Sequence, residues 1–113
     1  MARWLLAIET NCVDPSREME FNDWYNSIHL PDVLETPGIL HGTRYENMSP
    51  DEEQGRYVAL YEVDTEDMEQ VLADLWEVTT KKGEEGRWSE LVDTVSIRSY
   101  RQITSTLDSR TQP

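Results

Sequence analysis

The chain has 113 residues and a formal net charge of −13, with 37% hydrophobic and 29% charged residues, four tryptophans and five tyrosines. That length accommodates one domain with one modest core, and the aromatic content argues for a folded chain and against a disordered one. The negative charge repels phosphate backbones and anionic lipid surfaces, so neither nucleic acid nor membrane is an expected partner, and the single cysteine, Cys12, excludes an internal disulfide framework and fits a reducing, cytoplasmic location.

Residues 3–9, RWLLAIE, form an unbroken apolar run too short for a membrane span or a signal segment and suited to a buried strand. Cys12 follows in a turn whose only neighbouring cation is Arg17, so its thiol reads as structural and not as a reactive thiolate. Ser16 is the expected N-cap of a first helix, with Glu18 and Glu20 in the turn where the helix dipole favours negative charge. Phe21, Trp24, Tyr25 and Ile28 recur at spacings of three and four and form one apolar face. Pro31 removes a backbone donor and restricts Leu30, so this helix is expected to end or kink at His29 or Leu30, with one further turn over 32–35 before the Pro37-Gly38 turn.

Residues 39–46, ILHGTRYE, predict a second strand in which simple alternation puts Ile39, His41, Thr43 and Tyr45 on one face. Gly42 inside it marks a bulge or a close approach to the backbone. The polar stretch 47–55 predicts an exposed hairpin loop and 56–63 a third strand. Asp64 or Thr65 is expected to cap a second long helix carrying Met68, Val71, Leu72, Leu75, Trp76 and Thr79 on its apolar face, closed by Lys81, Lys82, Gly83 and Gly86. Residues 88–92 suit one short turn, 94–103 a fourth strand, and 104–113 a flexible tail with almost no apolar content. The domain is thus expected over residues 1–103.

The order strand, helix, strand, strand, helix, strand is an α+β, ferredoxin-like βαββαβ arrangement with a four-stranded antiparallel sheet. Two helices cover one face of such a sheet, and the apolar residues of the other face call for a partner, most simply a second copy in a two-fold homodimer.

Both histidines lie between Phe21 and Tyr45, and histidine is the side chain whose ordinary pKa lies near neutrality. His29, at the end of the first helix beside Tyr25, reads either as a general acid–base oriented by Tyr25 or Asp32, or as a helix-capping residue. His41 either lines the same cavity or faces solvent or a dimer partner. Trp24, Tyr25, Tyr45, Tyr57 and Tyr61 suit a pocket wall as well as a core or an interface. Arg44 is the candidate to pair with a carboxylate or enolate oxygen, with Glu46 or Glu62 as alternative partners. No HxH or HxxxH spacing points to a metal, and no Gly-rich phosphate loop, CxxC or GxSxG is present.

The segment WYNSIHLPDVLETPG leading into ILHGTRYE resembles the dimeric α/β-barrel superfamily and, within it, the EthD-like group of small proteins. That resemblance implies a homodimer with a pocket between each sheet and its first helix, holding a small hydrophobic, aromatic or polyketide-like molecule. It also implies that His29 matches a histidine found at this helix end in the methylmuconolactone isomerase branch. The second half of the chain contains no histidine to match a proximal haem ligand, so haem is disfavoured and no cofactor is expected. The function expected from residues and resemblance together is a cofactor-independent lyase, isomerase or cyclase acting on a cyclic or aromatic carbonyl compound. Its catalytic residues would be His29, His41 and Asp32, and its substrate-binding residues Trp24, Tyr25, Ile28, Arg44, Tyr45 and Tyr61. The alternatives are a non-catalytic binding or accessory protein for a hydrophobic metabolite and a cofactor-free monooxygenase.

Overall fold

The structure, a computed structural model, describes residues 2–109. Strands β1 (Arg3–Cys12), β2 (Ile39–Glu46), β3 (Tyr57–Asp64) and β4 (Val92–Arg101) form one sheet in the order β2-β3-β1-β4, every pairing antiparallel. The helices α1 (Glu18–Trp24), α2 (Leu30–Val33) and α3 (Met68–Glu84) complete the ferredoxin-like order that the sequence predicts. Leu6 and Ile8 of β1, Tyr57, Ala59, Tyr61 and Val63 of β3, and Ile39 of β2 build the sheet side of the core. Phe21, Tyr25 and Val33 cover it from the first helical region, and Met68, Val71 and Leu75 from α3.

The first helical region departs from expectation. It is entered through a 3-10 turn, Pro15–Arg17, capped by Asp14, whose carboxylate accepts from the Ser16 amide at 3.0 Å, so Ser16 lies inside the turn it was expected to cap. The rod also runs on past Pro31. Between α1 and α2 lies a π turn, Tyr25–His29, in which the Leu30 amide bonds to the Tyr25 carbonyl five residues back. The wider turn relieves the clash between a proline ring and the carbonyl four residues earlier, which an α-helix would impose.

A bulge between Ile39 and His41 shifts the register of β2 against β3 and overturns the simple alternation. Beyond it Gly42 pairs with Tyr61 and Arg44 with Ala59, so Gly42 and Arg44 share the helix-covered face with Ile39, and His41, Thr43 and Tyr45 turn to the other. Gly42 meets the expectation of close approach: a Cβ there would lie 2.8 Å from two atoms of the Tyr61 ring.

Helix α3 is capped by Asp67, whose carboxylate accepts from the Gln70 amide at 3.1 Å, while Thr65 accepts from the Asp67 amide one step earlier. Trp76 is 75% exposed, because it lies about 100° round the helix from buried Leu75 and past the edge of the sheet-facing stripe. The helix stops at Gly86, whose φ of +78° is a left-handed conformation open to glycine. Residues 88–91 form no helix, and Val92 already belongs to β4. Residues 104–109 are exposed and carry no helix or strand; residues 110–113 of the expected tail lie outside the described residues.

The uncovered sheet face presents Leu5, 40% exposed, with Ala7, Val58, Leu60, Tyr45 and Tyr100 around the polar Glu9, Arg98 and His41. Among the described residues no helix is long and apolar enough to cross a membrane.

Candidate functional site

The first helical rod, 18–33, lies on the sheet with Phe21, Tyr25 and His29 directed inward at spacings of four. Tyr25 is the centre of what surrounds it. The Arg44 guanidinium of β2 sits 4.0 Å from the centroid of the Tyr25 ring, with Tyr57 at 5.2 Å and Phe21 at 5.7 Å. The His29 ring packs edge-on against Tyr25 at 4.8 Å.

On the β2 side, Arg44 donates to Asn26 Oδ1 at 2.8 Å and to Asn22 Oδ1 at 3.0 Å, two amides four residues apart on the rod. Asn22 in turn donates to the Tyr57 hydroxyl, which donates to Glu18. Arg44 therefore has amide oxygens and aromatic faces around it and no carboxylate, and burial pushes its pKa down. Its Nε is buried without a hydrogen-bond partner, and so is the hydroxyl of Tyr61. Tyr61 lies against Gly42, the neighbour of Arg44 on the same face, and close enough to Tyr25 for the two phenols to affect each other's acidity without a hydrogen bond of good geometry. Burial raises both phenol pKa values, so the two hydroxyls remain protonated donors. The third orphaned atom, Thr36 Oγ1, lies in the turn between α2 and β2.

On the other side, His29 is enclosed by rings. Trp24 stacks on it at 4.9 Å with 15° between planes, and Trp88, from the segment joining α3 to β4, meets it edge-on at 5.2 Å. Burial pushes its pKa down to about 4, with Asp32 pulling the other way and Arg44 adding to the depression. The imidazole is therefore neutral at physiological pH. Asp32 is 4% exposed and receives both the Nε and an Nη of Arg87, at 2.8 and 2.9 Å, and this arginine is the chief cause of its lowered pKa. The Arg87 carbonyl accepts from the Trp24 indole at 2.9 Å, which ties Arg87 and Trp88 down over His29. A groove of about 350 Å³, bounded by Arg17, Glu20, Trp24, Trp88, Ser89 and Glu90, lies outside this closure.

Of the residues expected at a site, Tyr25, His29, Arg44 and Tyr61 thus come together, with Trp24 and Asp32 at the edge of the group. Ile28 is half-buried on the rod. His41 and Tyr45 stand on the opposite face of the sheet, so His29 and His41 do not share a cavity. Sequence reasoning missed Asn22 and Asn26, which lie off the apolar face of the first helix, and Arg87 with Trp88, whose segment reaches Asp32 and His29 from 55 to 59 residues away along the chain. Among the described residues no group of three or more His, Cys, Asp and Glu is placed to hold a metal.

Residues 5–91 match the family described as "Domain of unknown function (DUF4286)". No curated protein matches the chain. Solved structures that share its fold include the following three. HapK from Hahella chejuensis is 15% identical with a TM-score of 0.68, the match covering 95% of this chain and 99% of that one. An EthD family protein from Bacillus halodurans is 15% identical with a TM-score of 0.53, covering 91% and 100%. The heme-degrader MhuD from Mycobacterium tuberculosis, solved with two hemes in its active site, is 14% identical with a TM-score of 0.55, covering 94% and 99%. At these identities the likeness is one of fold, and it is the EthD-like, ferredoxin-like fold that the sequence resembles.

Proposed function

We propose that this chain, which belongs to the DUF4286 family, is a small enzyme that binds a cyclic or aromatic carbonyl compound between its first helix and its sheet and moves a proton on it. The observation that carries this reading is the pair of buried donors without partners, Arg44 Nε and the Tyr61 hydroxyl, beside Tyr25. Buried polar groups are nearly always satisfied, and orphans gathered at one place mark a position for a ligand oxygen. A carbonyl oxygen seated there would gain negative charge as a neighbouring C–H bond breaks, and donors fixed in advance stabilise that charge most. His29, neutral and in its basic form, is the acceptor: the C–H electron pair becomes an enolate held by Arg44 and Tyr61, and the proton passes to an imidazole nitrogen and returns at another atom. Asp32 positions the imidazole through its charge and is not itself a proton carrier, being held ionised by Arg87.

Binding without catalysis is the second reading. It is favoured by the enclosure of His29 among Trp24, Tyr25 and Trp88, which depresses its pKa well below the value best suited to proton transfer at neutral pH. The two are separated by following deuterium uptake from D₂O into cyclic 1,3-dicarbonyl compounds in wild type and His29→Gln. The enzyme reading expects exchange to fall roughly 10²–10⁴-fold in a variant that still folds, whereas unchanged exchange in a stable variant ends the role of His29.

The same reading includes a homodimer, because the uncovered sheet face carries Leu5, Tyr45 and Tyr100 at 40–53% exposure. Sedimentation at micromolar concentration is expected to give twice the monomer mass of 13.2 kDa, and a monomer there would remove the dimer from the proposal.

A further inference from the structure

We infer that the molecule bound at Arg44 is an anion: a planar cyclic or aromatic compound bearing a carboxylate, which pairs with the guanidinium while the neighbouring carbonyl oxygen faces the Tyr61 hydroxyl. The inference rests on reading this cluster as a ligand site and adds the charge of the ligand. In a chain with 23 acidic residues, charge balance is the informative quantity. Arg3, Arg17, Arg56, Arg87 and Arg98 each have a carboxylate oxygen within 4 Å, at distances from 2.6 to 3.7 Å, and Arg101, which shares in none of these pairs, is exposed to solvent at the end of β4. No ion pair among the described residues includes Arg44, although its guanidinium is packed against Tyr25, Tyr57 and Phe21.

Its partners are neutral by construction. Asn22 and Asn26 present amide oxygens where aspartates would fit the same helix positions, and the nearest link to a carboxylate runs through the Tyr57 hydroxyl to Glu18, which also pairs with Arg56. A partly buried cation with dipoles in place of a counter-charge is costly in the empty protein and becomes favourable when an anion arrives. An enolate formed only during reaction would leave that cation unbalanced in the bound ground state, whereas a carboxylate balances it throughout. The rings fix the ligand's shape. The guanidinium carbon lies 4.0 Å from the Tyr25 ring centroid and 5.2 Å from that of Tyr57, and aromatic neighbours of this kind favour a flat ligand.

The test uses the full chain and two isosteric probes, benzoate and benzamide, with the arginine Nε–H signals read in ¹H–¹⁵N spectra. The Arg44 signal is assigned by its loss in Arg44→Gln and, should that variant fail to fold, by its through-space contacts to Tyr25 ring protons in wild type. Benzoate is expected to shift this signal saturably and to bind at least about tenfold tighter than benzamide, as a charge-assisted pair should. Equal affinity of the two probes at Arg44 overturns the anionic ligand and leaves the proton-transfer reading standing. Benzoate that never moves the Arg44 signal overturns it as well. A benzoate preference at Arg44, in a protein whose deuterium exchange does not depend on His29, keeps the inference and removes the enzyme reading.

Discussion

An arginine reaches the first helical rod from each flank, and the two are held in opposite ways. Arg87 arrives from the segment after α3 and meets the buried Asp32 carboxylate through two hydrogen bonds, with Trp88 closing over His29 beside it. Arg44 arrives from β2 and meets only amide oxygens and ring faces, with its Nε unsatisfied. One flank is electrically complete and sealed; the other is incomplete. A sealed flank contributes to the fold, since breaking a buried pair strands a charge, while an incomplete one is a cost that a folded protein carries where binding requires it. The π turn, Tyr25–His29, lies between them and supplies residues to both: Asn26 to the Arg44 side, His29 to the Trp88 side. Such turns recur at functional sites because the extra residue re-aims side chains on either side of it.

The sealed flank is challenged most directly with acid. His29 has a folded pKa of about 4 against 6.5 for the free side chain, because burial disfavours its charged form. The unfolded chain therefore takes up a proton below pH 6.5, and the folded chain only below about 4. Across that window the unfolded state binds more protons, so the stability contributed by neutral His29 is complete above 6.5 and is lost as the pH falls toward 4, up to roughly 3 kcal/mol. The lowered pKa of Asp32 acts in the same direction at still lower pH, below its ordinary 3.8. Urea denaturation at pH 7.5, 5.5 and 4.5 checks this in wild type and His29→Gln. Wild type is expected to lose most of that energy between the first and last, and the glutamine variant to lose only what the carboxylates account for. Parallel curves for the two proteins would show that His29 protonates freely and that the flank is not sealed.

How far the sequence revealed this arrangement follows from the range of the interactions. Local periodicity located the rod through Phe21, Trp24, Tyr25 and Ile28, and short-range punctuation located every strand, so the ferredoxin-like order was legible. Gly42 was legible as a close approach because the absence of a side chain inside a strand is itself a signal. The bulge between Ile39 and His41 was not: one extra residue carries no mark in composition, yet it moves His41 and Tyr45 to the far face and brings Arg44 inward. Pro31 was read by its usual effect, and the π turn that accommodates it depends on the packing of Tyr25 and His29 against the sheet. Arg87 and Trp88 were invisible because contacts across 55 or more residues follow from the assembled fold and not from any spacing.

The incomplete flank tests the comparison most sharply. Arg44→Met removes a guanidinium whose stacking on Tyr25 is worth about 0.5–1 kcal/mol and whose charge-assisted bonds to Asn22 and Asn26 are worth about 1.5–3 kcal/mol each, the exposed bond to Asn26 least. It also removes a partly buried, unbalanced charge, and exchanging buried charge for an apolar side chain of similar volume commonly returns about 1–4 kcal/mol. That return offsets about half of the loss. Asn26 is exposed and can turn its amide to water, so its loss of a partner leaves no stranded group. The ligand-free variant is therefore expected to lose no more than about 3 kcal/mol relative to wild type in urea, while losing whatever binding and turnover the wild type has. A loss of more than about 3 kcal/mol in Arg44→Met would mean that the guanidinium holds the rod to β2 much as Arg87 holds Asp32, and the contrast between a completed flank and one left open for a ligand would fall.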